Sequence, residues 1–449
     1  VEACAGAGKT WMLVSRMLRA LLEGAQPHEI LAITFTKKAA GEMRARLLQW
    51  LEEFSRADDA QLRQALAQRG LGATTTPEDL ARLRGLHRQL LASGRPVQVR
   101  TFHSWFASIA ASAPLGELAG LGLPARYTLL EDDKLAIDQV WSRFHARVAA
   151  DAPARADYVA LVQTIGRTNT RKALESALAK RVELALADAA GVLAGSVATA
   201  AAQFPEFAGC KQPLDGLRAS DATEQLWAAA KVLGAATQQA CIQAARKLEK
   251  ALTDGDTKGL FGALLTDKYE ARAFHNTVVG IENVRQAQDL LLRVRVAQSQ
   301  HDAWEHQQRL TRLSRGLLQD YAALKRERGW MDMNDLEQLA LHLMSDPVLS
   351  GWVQEKLDAR VAHVLIDEFQ DTSPLQWQAL KSWLAAYSGA GYSPGVFIVG
   401  DPKQSIYRFR RAEPQVFQAA IAFVQEQLDG AVLRCDHTRR NAPAVLDCV

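Results

Sequence analysis

The residues able to do chemistry gather in four short segments. The first, Ala3-Cys4-Ala5-Gly6-Ala7-Gly8-Lys9-Thr10, runs straight into a helical pattern. Small side chains let backbone N–H groups curl around an anion, and a helix N-terminus adds positive potential. Lys9 then neutralises β/γ-phosphates and Thr10 offers a hydroxyl to Mg²⁺. The second, Asp367-Glu368-Phe369-Gln370-Asp371, follows the apolar run VAHVLI. A carboxylate at the C-terminal end of a strand, in a sheet that also carries a phosphate loop, is where Mg²⁺ is held. Asp367 fits that role, and Glu368 beside it can polarise an attacking water. An Asp-Glu pair alone is commonly a solvated turn. Its pairing with Lys9-Thr10 points to a Mg–nucleotide hydrolase. The third segment, VGDPKQSIYRFRRA (399–412), sets Gln404 ahead of Tyr407, Arg408, Phe409, Arg410 and Arg411. Aromatic faces stack unpaired bases while guanidinium groups track phosphates, a composition suited to single strands. The fourth, VRTFHSWF (99–106), places Arg100, Thr101, Phe102, His103, Ser104 and Trp105 at another strand end; its weight comes from the company it keeps.

These segments need a scaffold, and the pattern supplies one. Apolar residues at helical spacing cover 11–23, ILAITF (30–35) reads as a buried parallel strand, and a helix follows from about Lys38 to Phe54. Two polar helices fill 55–96, the second opened by Thr76-Pro77-Glu78-Asp79, and VQVRTF (97–102) returns to strand. From 106 to 318 Ala, Leu and Gln dominate, strand signals vanish, and helical periodicity runs throughout. Strands resume at 361–367, 395–400 and 431–435, with helices opening at Ser373-Pro374 and near Pro414. Strands alternating with helices imply right-handed βαβ units. The expected fold is α/β, a P-loop parallel sheet interrupted by a large all-helical inserted domain. The expected divisions are 1–105 and 321–428 for the ATP-binding domain, 106–320 for the helical insertion, and 429–449 for the start of a second domain. GWMDMNDL (329–336) is assigned a structural role, with Asp332 and Asp335 as turn or cap residues.

Composition narrows the class further. The chain has 449 residues, of which 48% are hydrophobic and 23% charged, so it can bury real cores; disordered, collagenous and disulfide-scaffold classes are excluded. No apolar run approaches 18 residues, which excludes a membrane span. The 53 basic and 50 acidic residues nearly cancel to +3, so any nucleic-acid surface must be local. Five dispersed cysteines without CxxC spacing predict a reducing, cytoplasmic setting and no zinc site. The chain begins at Val1, inside a motif, and both ends read as cuts through a longer protein.

Together the motifs resemble the UvrD/Rep branch of superfamily 1 DNA helicases. Five segments match that series in order: ACAGAGKT, LAITFTKKAAGEMRARL (31–47), RTFHSWF, LIDEFQDTSPLQW (365–377) and VGDPKQSIYRFRRA. The resemblance covers about 1–54, 97–106 and 321–449, and the length of the helical block with its 55–96 spacer is similar to the RecB/AddA branch. It implies a RecA-like domain holding ATP on the 3–10 loop, chiefly Gly8, Lys9 and Thr10, with Mg²⁺ on Thr10 and Asp367. Glu368 would be the hydrolytic base, and Gln404 would link the γ-phosphate to bound DNA. Phe35, Thr36, Thr101, Phe102, His103, Tyr407 and Phe409 match positions lining a single-strand path, and Arg410 couples that path to ATP. LRCDHTRRNAPAVLDCV (433–449) resembles the opening of the second RecA-like domain, with Arg440 as the γ-phosphate arginine and Arg439 the runner-up.

Where the family often has an arginine after the loop threonine and a tyrosine before the second-domain arginine, this chain has Trp11 and Arg439. A base sandwich with exchanged sides is one reading, since indole and guanidinium faces both stack on a base; packing of Trp11 into the core is the other. Arg167, Arg171, Lys172, Arg246, Lys247 and Lys250 in the helical block are either duplex contacts or a solvated face. The resemblance implies a 3′–5′ ATP-dependent helicase and translocase acting on single-stranded DNA and duplex ends. It would be the motor subunit of a double-strand-break helicase–nuclease with an AddB/RecC-like partner. The alternatives are a stand-alone UvrD/Rep-type repair helicase and a nucleotide-gated DNA-binding scaffold without turnover. Because hydrolysis between two RecA-like domains needs arginines from the second, residues 1–449 alone are expected to bind Mg-ATP weakly and not to unwind DNA.

Overall fold

Ile30-Leu31-Ala32-Ile33-Thr34 is buried at all five positions, as a strand covered on both faces must be. In the computed structural model, which describes residues 1–4, 6–71, 75–130, 132–356, 361–389, 394–405 and 412–435, this run is the strand β2. It sits inside a parallel sheet. With β1 Glu2–Ala3, β3 Gln98–Thr101, β6 His363–Ile366, β7 Gly395–Ile398 and β8 Arg434–Cys435, two ladders form, β3-β2-β6-β7 and β1-β8. Leu31 lies opposite Gln98 and Val364, and Val364 opposite Val396. A bridge between Glu2 and Gly400 joins the two ladders, with the Ala3 N–H donating to the Gly400 carbonyl at 3.0 Å. Every pairing in these ladders is parallel.

The period of two along each strand divides the core. Ile30 and Ala32 face one cluster with Val99 and Leu365, while Leu31 and Ile33 face the other with Val364 and Ile366. The first face is covered by α1 (Lys9–Leu22), α2 (Lys37–Arg56), α3 (Asp59–Gln68) and α4 (Pro77–Ala92), through Met17, Leu47, Leu62 and Leu83. The second is covered by α5 (Phe102–Ala110), α6 (Met333–Ser345), α7 (Pro374–Gly389) and α8 (Pro414–Gln427), through Phe106, Leu339, Leu380 and Phe417. Helices start where the caps say they should. Thr36, Asp58 and Thr76 each accept the N3 backbone N–H, and Asp332 with Asp335 makes a capping box at α6, the role expected for both.

The chain divides into two compact units: Val1–Asp133 with Lys325–Val449, and Lys134–Leu324. The boundaries fall later than 106 and 321. Residues after 105 still serve the sheet's core, since Phe106, Ile109, Ala110 and Leu118 are buried in its second cluster. Strand β4 (Thr128–Leu130) then pairs in parallel with β5 (Trp330–Asp332), so the strand signal does not end at 106. Thr-Leu-Leu is too short to show a period of two, and that hid it in the sequence.

The second unit is built of helices, with a single antiparallel bridge between Leu265 and Ala271 among its described residues. Its core centres on Leu226, Ala230, Leu248, Leu264, Leu291 and Val294. Asp157 accepts both Nε and Nη2 of Arg312 at 2.8 Å, tying the start of the unit to its last helix. Among the described residues no helix is long and apolar enough to cross a membrane.

Candidate active site

Two glycines shape the loop before α1. Gly6 has φ 80°, and Gly8, the residue capping the helix, has φ 88° and ψ 30°. Side chains rarely adopt this left-handed backbone. No side chain caps α1, so the N–H groups of its first turn stay available to an anion. Ala3 lies buried in β1, the Cys4 carbonyl accepts the Ala7 N–H at 3.2 Å, and Thr10 is half-buried in the first turn. Ala5 lies outside the described residues.

The second strand end meets this loop. Lys9 Nζ donates to Glu368 Oε2 at 2.7 Å, spanning 359 positions of sequence. The lysine side chain is 10% exposed, so it has little water with which to share its charge. Glu368 itself has φ 49° and ψ 45°, a strained backbone for a non-glycine residue, which turns its carboxylate off the end of β6. Asp367 precedes it, buried, its N–H on the Ile33 carbonyl and its Oδ1 accepting the Glu368 N–H.

Electrostatics mark this corner as short of positive charge. Burial, and next the negative Glu368, push the Asp367 carboxyl up to about 6, with the Glu368 N–H and Lys9 pulling the other way. Asp371 is likewise pushed up to about 6 by burial and Glu368, and its Oδ1 is buried without a hydrogen-bond partner. Three carboxylates therefore face one lysine. Among the described residues no group of three or more His, Cys, Asp or Glu side chains could hold a metal ion. A cation here would complete its shell from phosphate oxygens and water, as Mg²⁺ at nucleotide sites does.

One residue without an expected role organises the corner. Gln370, 3% exposed, donates through Nε2 to Glu368 Oε2 at 2.7 Å and accepts the Asp401 N–H through Oε1 at 2.9 Å. Asp401 in turn accepts Gln404 Nε2 at 2.6 Å, and Ser405 Oγ donates to the Gln370 carbonyl at 3.2 Å. A hydrogen-bonded chain thus runs from Lys9 through Glu368, Gln370 and Asp401 to Gln404. Gly400 permits the approach, because a Cβ there would stand 2.7 Å from Gln370 Oε1 and 2.6 Å from the Phe417 ring. The only sequence signal for Gln370 was a polar residue placed two beyond Glu368.

The remaining expected residues divide. Thr36 caps α2 at an exposed position and Phe35 is half-buried beside it. Thr101 is buried, with its Oγ1 accepting the Ser104 N–H, and Phe102 is 5% exposed against Phe106. Those two side chains serve the cap and the core, because the last inward position of β3 and the first turn of α5 both face the second cluster. His103 stays partly open, with Nε2 3.2 Å from Glu337 Oε1, which also accepts Gln376 Nε2 at 2.6 Å. Trp11 packs edge-on against Trp50, centroids 6.2 Å apart, and Arg69 lies over Trp11, Trp50 and Phe54 at 5.3, 4.2 and 5.3 Å. Nothing in the sequence pointed to Arg69. Tyr407, Phe409, Arg410, Arg439 and Arg440 lie outside the described residues.

Comparison with known proteins adds the decisive observation. The family model described as the UvrD/REP helicase N-terminal domain matches residues 1–425. The chain belongs to the UvrD/REP helicase family. It is similar to an ATP-dependent helicase/nuclease subunit of Listeria monocytogenes serotype 4b (strain F2365), 36% identical over 141 residues, which is 31% of this chain and 11% of that protein. The protein of the same name from Natranaerobius thermophilus is 35% identical over 131 residues, 29% of this chain and 10% of the relative. That from Desulfitobacterium hafniense (strain DSM 10664 / DCB-2) is 39% identical over 108 residues, 24% and 8%. The matched stretch thus spans about a tenth of these curated relatives. For a UvrD/REP helicase domain, Lys9, Asp367 and Glu368 stand in one corner at the ends of β1 and β6.

Proposed function

We propose that this chain is the N-terminal motor portion of an ATP-dependent DNA helicase and translocase. It would move 3′ to 5′ on single-stranded DNA and couple Mg-ATP hydrolysis to duplex unwinding in repair and recombination. The observation that carries the reading is the 2.7 Å Lys9–Glu368 ion pair joining a glycine-shaped loop to a strand-end carboxylate. Without nucleotide, Glu368 neutralises Lys9. Arriving phosphates compete for that ammonium and release the carboxylate toward water, so the same contact that keeps the empty site quiet is exchanged on binding.

The donor set fits Mg²⁺-ATP. The first turn of α1 and Lys9 would hold the phosphates, while Thr10 and Asp367 would hold the ion, whose charge offsets the excess of carboxylates. Gln404, at the far end of the hydrogen-bonded chain, would report the γ-phosphate to DNA. Trp11, braced by Trp50 and Arg69, would give adenine a fixed ring, with Arg439 opposite. Arg440 would complete the γ-phosphate contacts, and Phe35, Thr36, His103, Tyr407, Phe409 and Arg410 would line the strand. The Lys134–Leu324 unit would act as the inserted helical domain. The names of the relatives favour a helicase–nuclease subunit with an AddB-like partner over a stand-alone repair helicase.

ATP hydrolysis by the complete parent protein, with and without single-stranded DNA and beside Glu368→Gln, tests the reading. DNA stimulation that collapses in the variant is the expected result. ATP and DNA binding without turnover would replace the motor with a nucleotide-gated scaffold.

A further inference from the structure

A groove of about 540 Å³ lies along β3, away from the nucleotide corner. Arg44, Arg95, Arg100 and His28 line it, and among the described residues lining it none is acidic. In a chain whose charges nearly cancel, three arginines facing one groove make a local anion surface.

The surroundings say which anion. Within the described residues β3 pairs only with β2, so it is a sheet edge. An added peptide strand is excluded there, because Arg44 Nη2 already donates to the outward Val99 carbonyl at 2.9 Å. Arg95 sits on a built turn. Gly94 has φ 66°, Ser93 Oγ donates to the Arg95 carbonyl at 3.2 Å, and Pro96 follows. Gln98 Nε2 pins the strand's start to the His28 carbonyl at 3.0 Å. Among the described residues the groove's lining contains no Phe, Tyr or Trp. Single-strand sites stack bases on aromatic rings, whereas a duplex hides its bases and offers phosphates. Four strand residues span about 13 Å, room for about three base-pair steps at about 3.4 Å each.

We propose that this groove binds the phosphate backbone of duplex DNA, a contact separate from the single-strand path, with Arg95 and Arg100 as its principal phosphate ligands. The inference rests on the DNA-motor reading. Three neutralised phosphates set a salt slope in log K of about −2.7.

The test uses the 449-residue chain and fluorescence anisotropy with a blunt hairpin duplex and with an oligothymidylate, titrated across salt. Arg95→Gln/Arg100→Gln is expected to weaken hairpin binding, flatten its salt slope by about two and leave oligothymidylate binding unchanged. Arg95→Lys/Arg100→Lys should restore most of the hairpin affinity, since Lys also serves phosphate as a point charge. Unaltered melting of both variants shows that folding is not the cause. Hairpin affinity unaffected by the Gln variant overturns the proposal, as does equal weakening of both ligands, which assigns the groove to the single strand. A native chain that binds neither oligonucleotide overturns the DNA-motor reading along with it.

Discussion

Replacing Asp367 by Asn should stabilise the nucleotide-free protein while removing its capacity for Mg²⁺-dependent turnover. The carboxyl is buried, and its pKa rises from the ordinary value of 3.8 to about 6 on folding. At 1.36 kcal/mol for each pH unit, that rise corresponds to about 3 kcal/mol of penalty for holding the ion inside the fold. Asn loses the attraction of Lys9 and keeps the hydrogen bond from the Glu368 N–H through its own Oδ1, so the net gain should be about 1–3 kcal/mol. The sign follows from linkage. Below 3.8 the carboxyl is neutral folded and unfolded, and its contribution to stability is intact. As pH rises through about 6 the folded form must ionise too, and that contribution is lost. The advantage of Asn should therefore be largest near about pH 7.5 and vanish toward about pH 4. Urea unfolding with EDTA, followed by circular dichroism at both pH values, measures the difference. Equal stability at the higher pH, or a gain that persists at the lower, would refute the argument that this site is built around an uncompensated carboxylate.

Four further outcomes follow from the same geometry. Gln370→Leu should lower kcat by about tenfold or more at unchanged melting temperature, because Glu368 and Asp401 lose their shared amide; steady-state ATPase with DNA checks it. Gly8→Ala should cost about 1–2 kcal/mol through its left-handed φ rather than a clash, since its Cβ would meet only Trp11 Cβ at 3.9 Å; thermal melting reads this. Trp11→Ala should weaken ATP binding about tenfold by calorimetry, and unaltered affinity would leave the ring a purely structural partner of Trp50 and Arg69. Lys325→Met should destabilise by about 3–5 kcal/mol, because buried Asp332 and Asp335 share that ammonium; adding Asp332→Asn should recover part of the loss in urea titrations.

Local patterns were enough to place the chemistry at its elements. Burial of every residue of ILAIT follows from its apolar run, and the start of α1 follows from Gly8-Lys9-Thr10. Asp332 could be named a cap from type and position alone, because capping is decided within about four residues. Distance across the chain was a different matter. That Lys9 would touch Glu368 was inferable only from resemblance, since 359 positions separate them. The amide of Gln370, bridging the ends of β6 and β7, had no sequence signature, because its partners are a carboxylate two residues away and an N–H 31 residues away. Phe102 shows the converse. An aromatic after a strand suits a base platform or a core equally well, and the inward pleat of β3 with the first turn of α5 put it in the core. The late start of the helical unit was hidden for a similar reason: three residues of β4 carry no periodicity, and only pairing with β5, some 200 positions on, makes them a strand. Sequence alone determined which groups this protein can use, because side-chain chemistry and the periods of helix and strand are local. Which groups meet, which are desolvated and which stay open was decided by the tertiary structure, because hydrogen bonds, burial and charge balance depend on partners that only the folded sheet brings together.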